Sequence, residues 1–152
     1  MLPEIISKIY VINLEHCKDR KEHIIDEFKN NNIENYEFFT AVDKDSEQVK
    51  NMMNSNFIAH FPPCFKCKQN TCNCNNNYLM DSQIGNWCSF INLMKKIQKE
   101  EHNELIMISE DDIKFTKNGL ENINKVISRE NFKQKNIDKE KPILIRLAKA
   151  YR

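Results

Sequence analysis

Apolar and polar positions along this chain alternate between short solid runs and spaced stripes. Lys8-Ile-Tyr-Val-Ile-Asn-Leu14 is a compact, β-branched run and predicts a buried strand. In Lys18 to Phe28, Ile24, Ile25 and Phe28 fall at helical spacing, which predicts an amphipathic helix ended by the Asn30-Asn31-Asn32 run. Tyr36 to Val42 predicts a second strand, and strand, helix, strand at this spacing predicts a βαβ unit with a parallel sheet. The polar stretch 43–59 is predicted helical around Gln48 to Met53. Ser82 to Glu101 predicts a long helix with Ile84, Trp87, Cys88, Ile91, Met94 and Ile97 as its apolar stripe. Glu104 to Ser109 predicts a third strand. Asn118 to Arg129 predicts a helix with Leu120, Ile123 and Ile127 inward. Pro142 to Leu147 predicts a fourth strand, entered through proline as strand starts allow. The expected fold is one α/β domain over 1–152, a mostly parallel sheet flanked by helices.

Residues 61–77 break this order. They hold two prolines, four cysteines and a cluster of asparagines with no periodicity, and predict an irregular, cysteine-rich insertion. Cys64, Cys67, Cys72 and Cys74 offer four thiolates at short loop spacing, which suits a closed tetrahedral Zn²⁺ site that would hold the loop together. Two disulfides or four free thiols are the alternatives. Cys88 lies on the helix stripe and predicts a core thiol.

Composition narrows the class. A chain of 152 residues suits one domain, and at this length roughly 68–70% of the unfolded surface is buried on folding. The net charge of +1, with acids and lysines interleaved, gives no bulk electrostatic case for nucleic acid or for a membrane surface. No run reaches the ~18–20 apolar residues of a membrane span, and the N-terminus has no signal-peptide pattern. The expectation is a cytoplasmic protein, with self-association into a homo-oligomer left open. Heavy use of Lys, Asn and Ile points to AT-rich coding, as in parasites or large DNA viruses; for a virus the location would be host cytoplasm or virion.

The candidate chemistry sits in Glu110, Asp111 and Asp112, directly after the third apolar run. In open α/β sheets ligands bind beyond the carboxyl ends of strands. Three carboxylates there repel one another unless a cation or basic groups compensate. Hard divalent cations take oxygen ligands and bridge to phosphates, so the triplet suits a metal-assisted reaction of a nucleotide diphosphate. Solvated turn residues, or acids opening the next helix, are the alternative. None of His16, His23, His60 and His102 stands at a spacing that builds a metal or nucleophile site. Trp87 suits stacking on a base or sugar ring, but its place on the stripe predicts core packing.

Four stretches, in order, resemble glycosyltransferase family 25, which includes lipooligosaccharide and collagen galactosyltransferases. Tyr10-Val-Ile-Asn-Leu14 with Asp19-Arg20 is similar to the family's opening strand, and Ala41-Val-Asp43 to its Ala-Val-Asp signature. Ile84-Gly85 with Ser89 resembles its Gly-Cys…Ser-His helix, and Leu105 to Ile113 its strand followed by Glu-Asp-Asp. The resemblance implies a GT-A, Rossmann-like fold. It also implies transfer of galactose or glucose from a UDP-sugar to a hydroxyl of a glycan or protein acceptor, with Mn²⁺ or Mg²⁺. By position, Asn13, Leu14, Arg20, Asp43, Gly85 and Asp111 would border the nucleotide-sugar. Glu110 and Asp112 would form the metal pair, with Asp111 facing elsewhere. Arg20 suits a phosphate because of its planar fork, Asp43 suits ribose or uracil, and Gly85 suits close approach of backbone to ligand. Two residues depart from the pattern, Asn86 where the family has Cys and Phe90 where it has His. The family enzymes also continue beyond the point matching Arg152, with acceptor-binding elements and a catalytic base, and no base is identifiable here. This leaves room for a descendant that binds a nucleotide-sugar without turnover, or for a zinc-knuckle interaction module.

Overall fold

The structure, a computed structural model, describes residues 6–55, 67–69, 80–100 and 105–128. Their elements run β1 (Ile6–Asn13), α1 (Lys18–Asn30), β2 (Tyr36–Thr40), α2 (Glu47–Asn54), α3 (Asp81–Lys99), β3 (Leu105–Glu110) and α4 (Gly119–Ser128). The described strands form a parallel sheet in the order β2-β1-β3.

β1 is central, which explains why its sequence is a solid apolar run rather than an alternating one. A parallel strand with helices on both faces buries every side chain. Ile9 and Val11 point to one face, where they meet Ile24 and Phe28 of α1 and Leu120 and Ile127 of α4. Tyr10 and Ile12 point to the other, against Leu93 of α3. Phe28 is fully buried and meets Tyr36 edge-on with ring centroids 4.9 Å apart.

Local chemistry sets the helix ends. After α1 the chain turns through Asn32 at φ 54°, a left-handed conformation that asparagine tolerates. The Ser46 side chain caps α2 by accepting from the Val49 amide. At the start of α3, the Gln83 side chain reaches back to accept from the Met80 amide at 2.8 Å.

The register matters most for the site. Asn13 pairs with Thr40, and Ile12 with Glu110, so three carboxyl ends reach one edge together. From there β1 leads to α1 on one face while β2 leads to α2 and α3 on the other. Chain departing to opposite faces opens a crevice above the strand ends.

Two helix faces differ from expectation. The buried side of α3 is Ile84, Gly85, Cys88, Ser89 and Leu93, whereas Trp87 and Met94 are 46% and 53% exposed. The expected stripe is centred elsewhere on the helix and shares only Ile84 and Cys88 with this face. The true buried face includes a glycine and a serine where it abuts the backbone of Val42, while Ile84, Cys88 and Leu93 meet side chains. Trp87 is therefore not a core residue. Ile25 of α1 is also exposed, leaving Ile24 and Phe28 to face the sheet. The expected fourth strand, Pro142 to Leu147, lies outside the described residues. So does the 61–77 insertion apart from 67–69, where Cys67 is an exposed free thiol.

Candidate functional site

The carboxyl ends of the strands, the loops after β1 and β2 and the first turns of α3 enclose a cleft of about 230 Å³. Leu14, His16 and Arg20 come from the β1–α1 side, Ala41 to Lys44 from the β2 loop, Ser82, Asn86 and Ser89 from α3, and Glu110 and Asp111 from the end of β3. A neighbouring hollow of about 400 Å³ adds Glu15, Lys18 and Thr40 and shares Leu14, His16, Ala41 and Asp43 with the cleft.

The acidic triplet divides where β3 ends. Glu110, the last residue of β3, turns toward α3 and accepts from Asn86 Nδ2 at 3.2 Å. Asp111 turns toward α1. It is buried, and its carboxylate accepts from Asn13 Nδ2 at 2.8 Å and from Arg20 Nη1 at 3.1 Å. Asn13 Nδ2 also reaches the Cys17 carbonyl at 3.2 Å, so one amide ties the end of β1 to both β3 and the start of α1. Burying a carboxylate is costly unless it is paired and hydrogen-bonded; Asn13 and Arg20 supply both. In return the hydrogen bond and charge of Asp111 raise the Arg20 pKa further. Arg20 itself remains largely exposed.

Asp112 is exposed and does not line the cleft. Strand geometry stops at Glu110, and the turn that follows removes the two-residue alternation that would have set Glu110 and Asp112 side by side. The expected metal pair is thus not brought together, and the inward member of the triplet is Asp111. Among the described residues, no three His, Cys, Asp or Glu side chains converge on a metal position. Glu110 alone, completed by phosphate oxygens, still fits Mg²⁺ or Mn²⁺, which bind through one or two carboxylates plus substrate phosphates.

On the β2 side, Asp43 Oδ1 accepts from the Asp45 amide at 2.9 Å, and Oδ2 stands 3.5 Å from His16 Nδ1. Gly85 is buried in α3 and does not line the cleft. A Cβ there would stand 2.7 Å from the Val42 carbonyl oxygen, so the close approach it permits is of the chain to itself and not of a ligand. One turn on, the fully buried Ser89 hydroxyl donates to the Gly85 carbonyl and accepts from the Val42 amide, each at 2.7 Å.

A model of glycosyltransferase family 25, the LPS biosynthesis protein family, matches residues 6–150. The chain belongs to glycosyltransferase family 25. No curated protein matches it significantly. The family requires a sugar donor and an acceptor; of the expected site residues, Leu14, Arg20, Asp43, Glu110 and Asp111 line the cleft, and Asn13 stands behind them, bonded to Asp111. Among the described residues, no helix of this glycosyltransferase is long and apolar enough to cross a membrane.

Two departures from the family pattern have structural answers. Phe90 packs with Tyr10, Ile12 and Leu93 under the sheet, so its replacement of a histidine leaves the cleft untouched. Asn86 lies in the cleft and holds Glu110. In the sequence Asn86 stands only as a departure from the family's cysteine, and no spacing marks it as a partner of Glu110. His16, expected to build no metal or nucleophile site, lines the cleft. It lies in the loop directly after β1, where the strand-end rule could have found it.

Proposed function

We propose that this family 25 domain binds a UDP-sugar across the cleft and transfers galactose or glucose to a hydroxyl of a glycan or protein acceptor, in a GT-A-like arrangement. The observation that carries the reading is the Arg20–Asp111–Asn13 lock beside Glu110 at the carboxyl edge of the sheet. A guanidinium has five donors in a rigid fork. Asp111 engages Nη1 and so orients the fork, and the remaining donors suit diphosphate oxygens. Asp43 and His16, at the junction with the neighbouring hollow, suit the ribose and uracil, with Leu14 supplying an apolar edge.

Glu110 would hold Mn²⁺ or Mg²⁺ together with the diphosphate oxygens. When bound, the cation offsets the charge that develops on the leaving group. Arg20 does part of the same work from the protein side. In the transfer, the acceptor hydroxyl oxygen bonds to the anomeric carbon and gives up its proton to solvent, the bond from that carbon to the diphosphate oxygen breaks, and UDP departs with the electron pair. Asn86 keeps the Glu110 carboxylate turned into the cleft, and Asn13 keeps Asp111 from rotating away from Arg20.

Incubation with UDP-galactose and with UDP-glucose, with and without Mn²⁺, tests this. UDP release should require the cation and fall at least about tenfold in Glu110→Ala. A folded sample that neither binds UDP nor releases it from either donor rules the reading out.

A further inference from the structure

We infer that Ser89 and Gly85 are positioning residues for the donor nucleotide, acting through Val42 to set where Asp43 stands. The inference rests on the reading of Asp43 as a donor-facing group.

Ser89 borders the cleft but is 0% exposed, and its hydroxyl is taken up by protein partners. Its hydroxyl is used on both sides: the proton goes to the Gly85 carbonyl one turn back, and the oxygen receives the Val42 amide. Serine back-bonding to the preceding turn is common in helices. Here it also fixes the hydroxyl so that its lone pairs face the β2 loop. Val42 immediately precedes Asp43, and its amide, just past the end of β2, is held by this side-chain partner.

Gly85 works on the same peptide segment from its other end. The Val42 carbonyl oxygen lies 2.7 Å from the place a Cβ would take, with the Lys44 nitrogen at 3.5 Å. Backbone cannot swing aside as the tip of a side chain can. The helix thus grips the segment by a hydrogen bond to its amide and by contact along its carbonyl. The apolar side of the grip is Val42 against Val49, Ile84 and Cys88. Once the backbone is fixed, Asp43 Oδ1 is tied to the Asp45 amide, and Oδ2 is left facing His16 and the cleft. By contrast, Arg20 and Asp111 are anchored through β1, α1 and β3, away from this grip. The base-side and phosphate-side walls therefore rest on different supports.

A double-mutant cycle separates positioning from general stability. Binding of UDP and of inorganic pyrophosphate is measured by calorimetry for wild type, Ser89→Ala, Asp43→Asn and the double variant, each checked for folding by circular dichroism. Ser89→Ala should weaken UDP about tenfold, from the loss of one buried hydrogen bond and the shift it allows, and should leave pyrophosphate unchanged. In the Asp43→Asn background the same substitution should have almost no further effect. Ser89→Cys, close in size and able to form weak hydrogen bonds, should fall between, and it serves in the cycle if the alanine variant does not fold. Equal losses for UDP and pyrophosphate, or additive losses in the double variant, overturn the inference while leaving the donor reading intact. Wild type that binds neither ligand removes the donor reading, and this inference with it.

Discussion

At position 85 the absence of a side chain is used against backbone. In most helices glycine to alanine stabilises by about 1 kcal/mol. With the Val42 oxygen 2.7 Å from the new methyl, Gly85→Ala should instead destabilise by about 1–3 kcal/mol, as overpacking does. Urea unfolding of the two proteins decides the sign. A second residue-level expectation concerns pH. The Lys8 ammonium, 2.6 Å away, with Lys96 at 3.3 Å, holds the Glu37 carboxyl below its ordinary 4.5. A depressed folded-state pKa adds stability that is present above 4.5 and is lost as pH falls through the lower, folded value. Glu37→Gln should therefore flatten the fall in stability between neutral pH and about pH 3, read from thermal midpoints across that range. Asn13, Arg20, Asp43 and the acids were legible in the sequence because each follows a strand or a matching motif. Asn86 and His16 were not, since a lone amide or imidazole carries no spacing signal until the fold sets it beside a carboxylate. The inward turn of Asp111 was hidden for a related reason: it depends on where β3 stops.

The elements themselves were readable wherever period and burial agree. Among the described residues, β1, β2, β3 and the four helices lie within a few residues of expectation, because solid apolar runs and helical stripes report burial directly. The face of α3 was misread because hydrophobicity marks only contacts with side chains. Where a helix packs on a loop backbone, small residues are selected instead, and Gly85 and Ser89 occupy the buried positions that large apolar residues would be expected to fill. The observed face makes a clear prediction. Leu93→Ala, at a fully buried site between Tyr10 and Ile12, should cost about 2–5 kcal/mol. Trp87→Ala should cost under about 1 kcal/mol despite the larger side chain, since surface substitutions do little. Chemical denaturation of both variants distinguishes this face from the expected stripe. The cysteine-rich stretch makes a separate prediction, from spacing alone. If Cys64, Cys67, Cys72 and Cys74 hold zinc, protein purified without chelator should carry about one zinc ion per chain. Elemental analysis of wild type and Cys67→Ala would show whether that metal is there and whether it depends on the thiol.

For the whole molecule, a central strand buried on both faces sets the site. Its register with β2 and β3 brings the end of each strand to one edge, and the departure of the chain to opposite faces opens the cleft there. Into that edge the fold places an arginine locked by a buried carboxylate, a second carboxylate held by an asparagine, and a loop gripped by a helix. Membership of glycosyltransferase family 25 gives this arrangement its chemistry, a sugar donor and an acceptor. The proposed division of labour assigns the diphosphate to Arg20 and Glu110 and the nucleoside to Asp43. The most direct measurement is a crystal of the protein soaked with a UDP-sugar and Mn²⁺. The expected result is diphosphate density within hydrogen-bonding distance of Arg20, a cation between it and Glu110, and the nucleoside beside Asp43. A nucleotide bound anywhere else, or a cleft left without density at concentrations where solution binding is saturated, would contradict it.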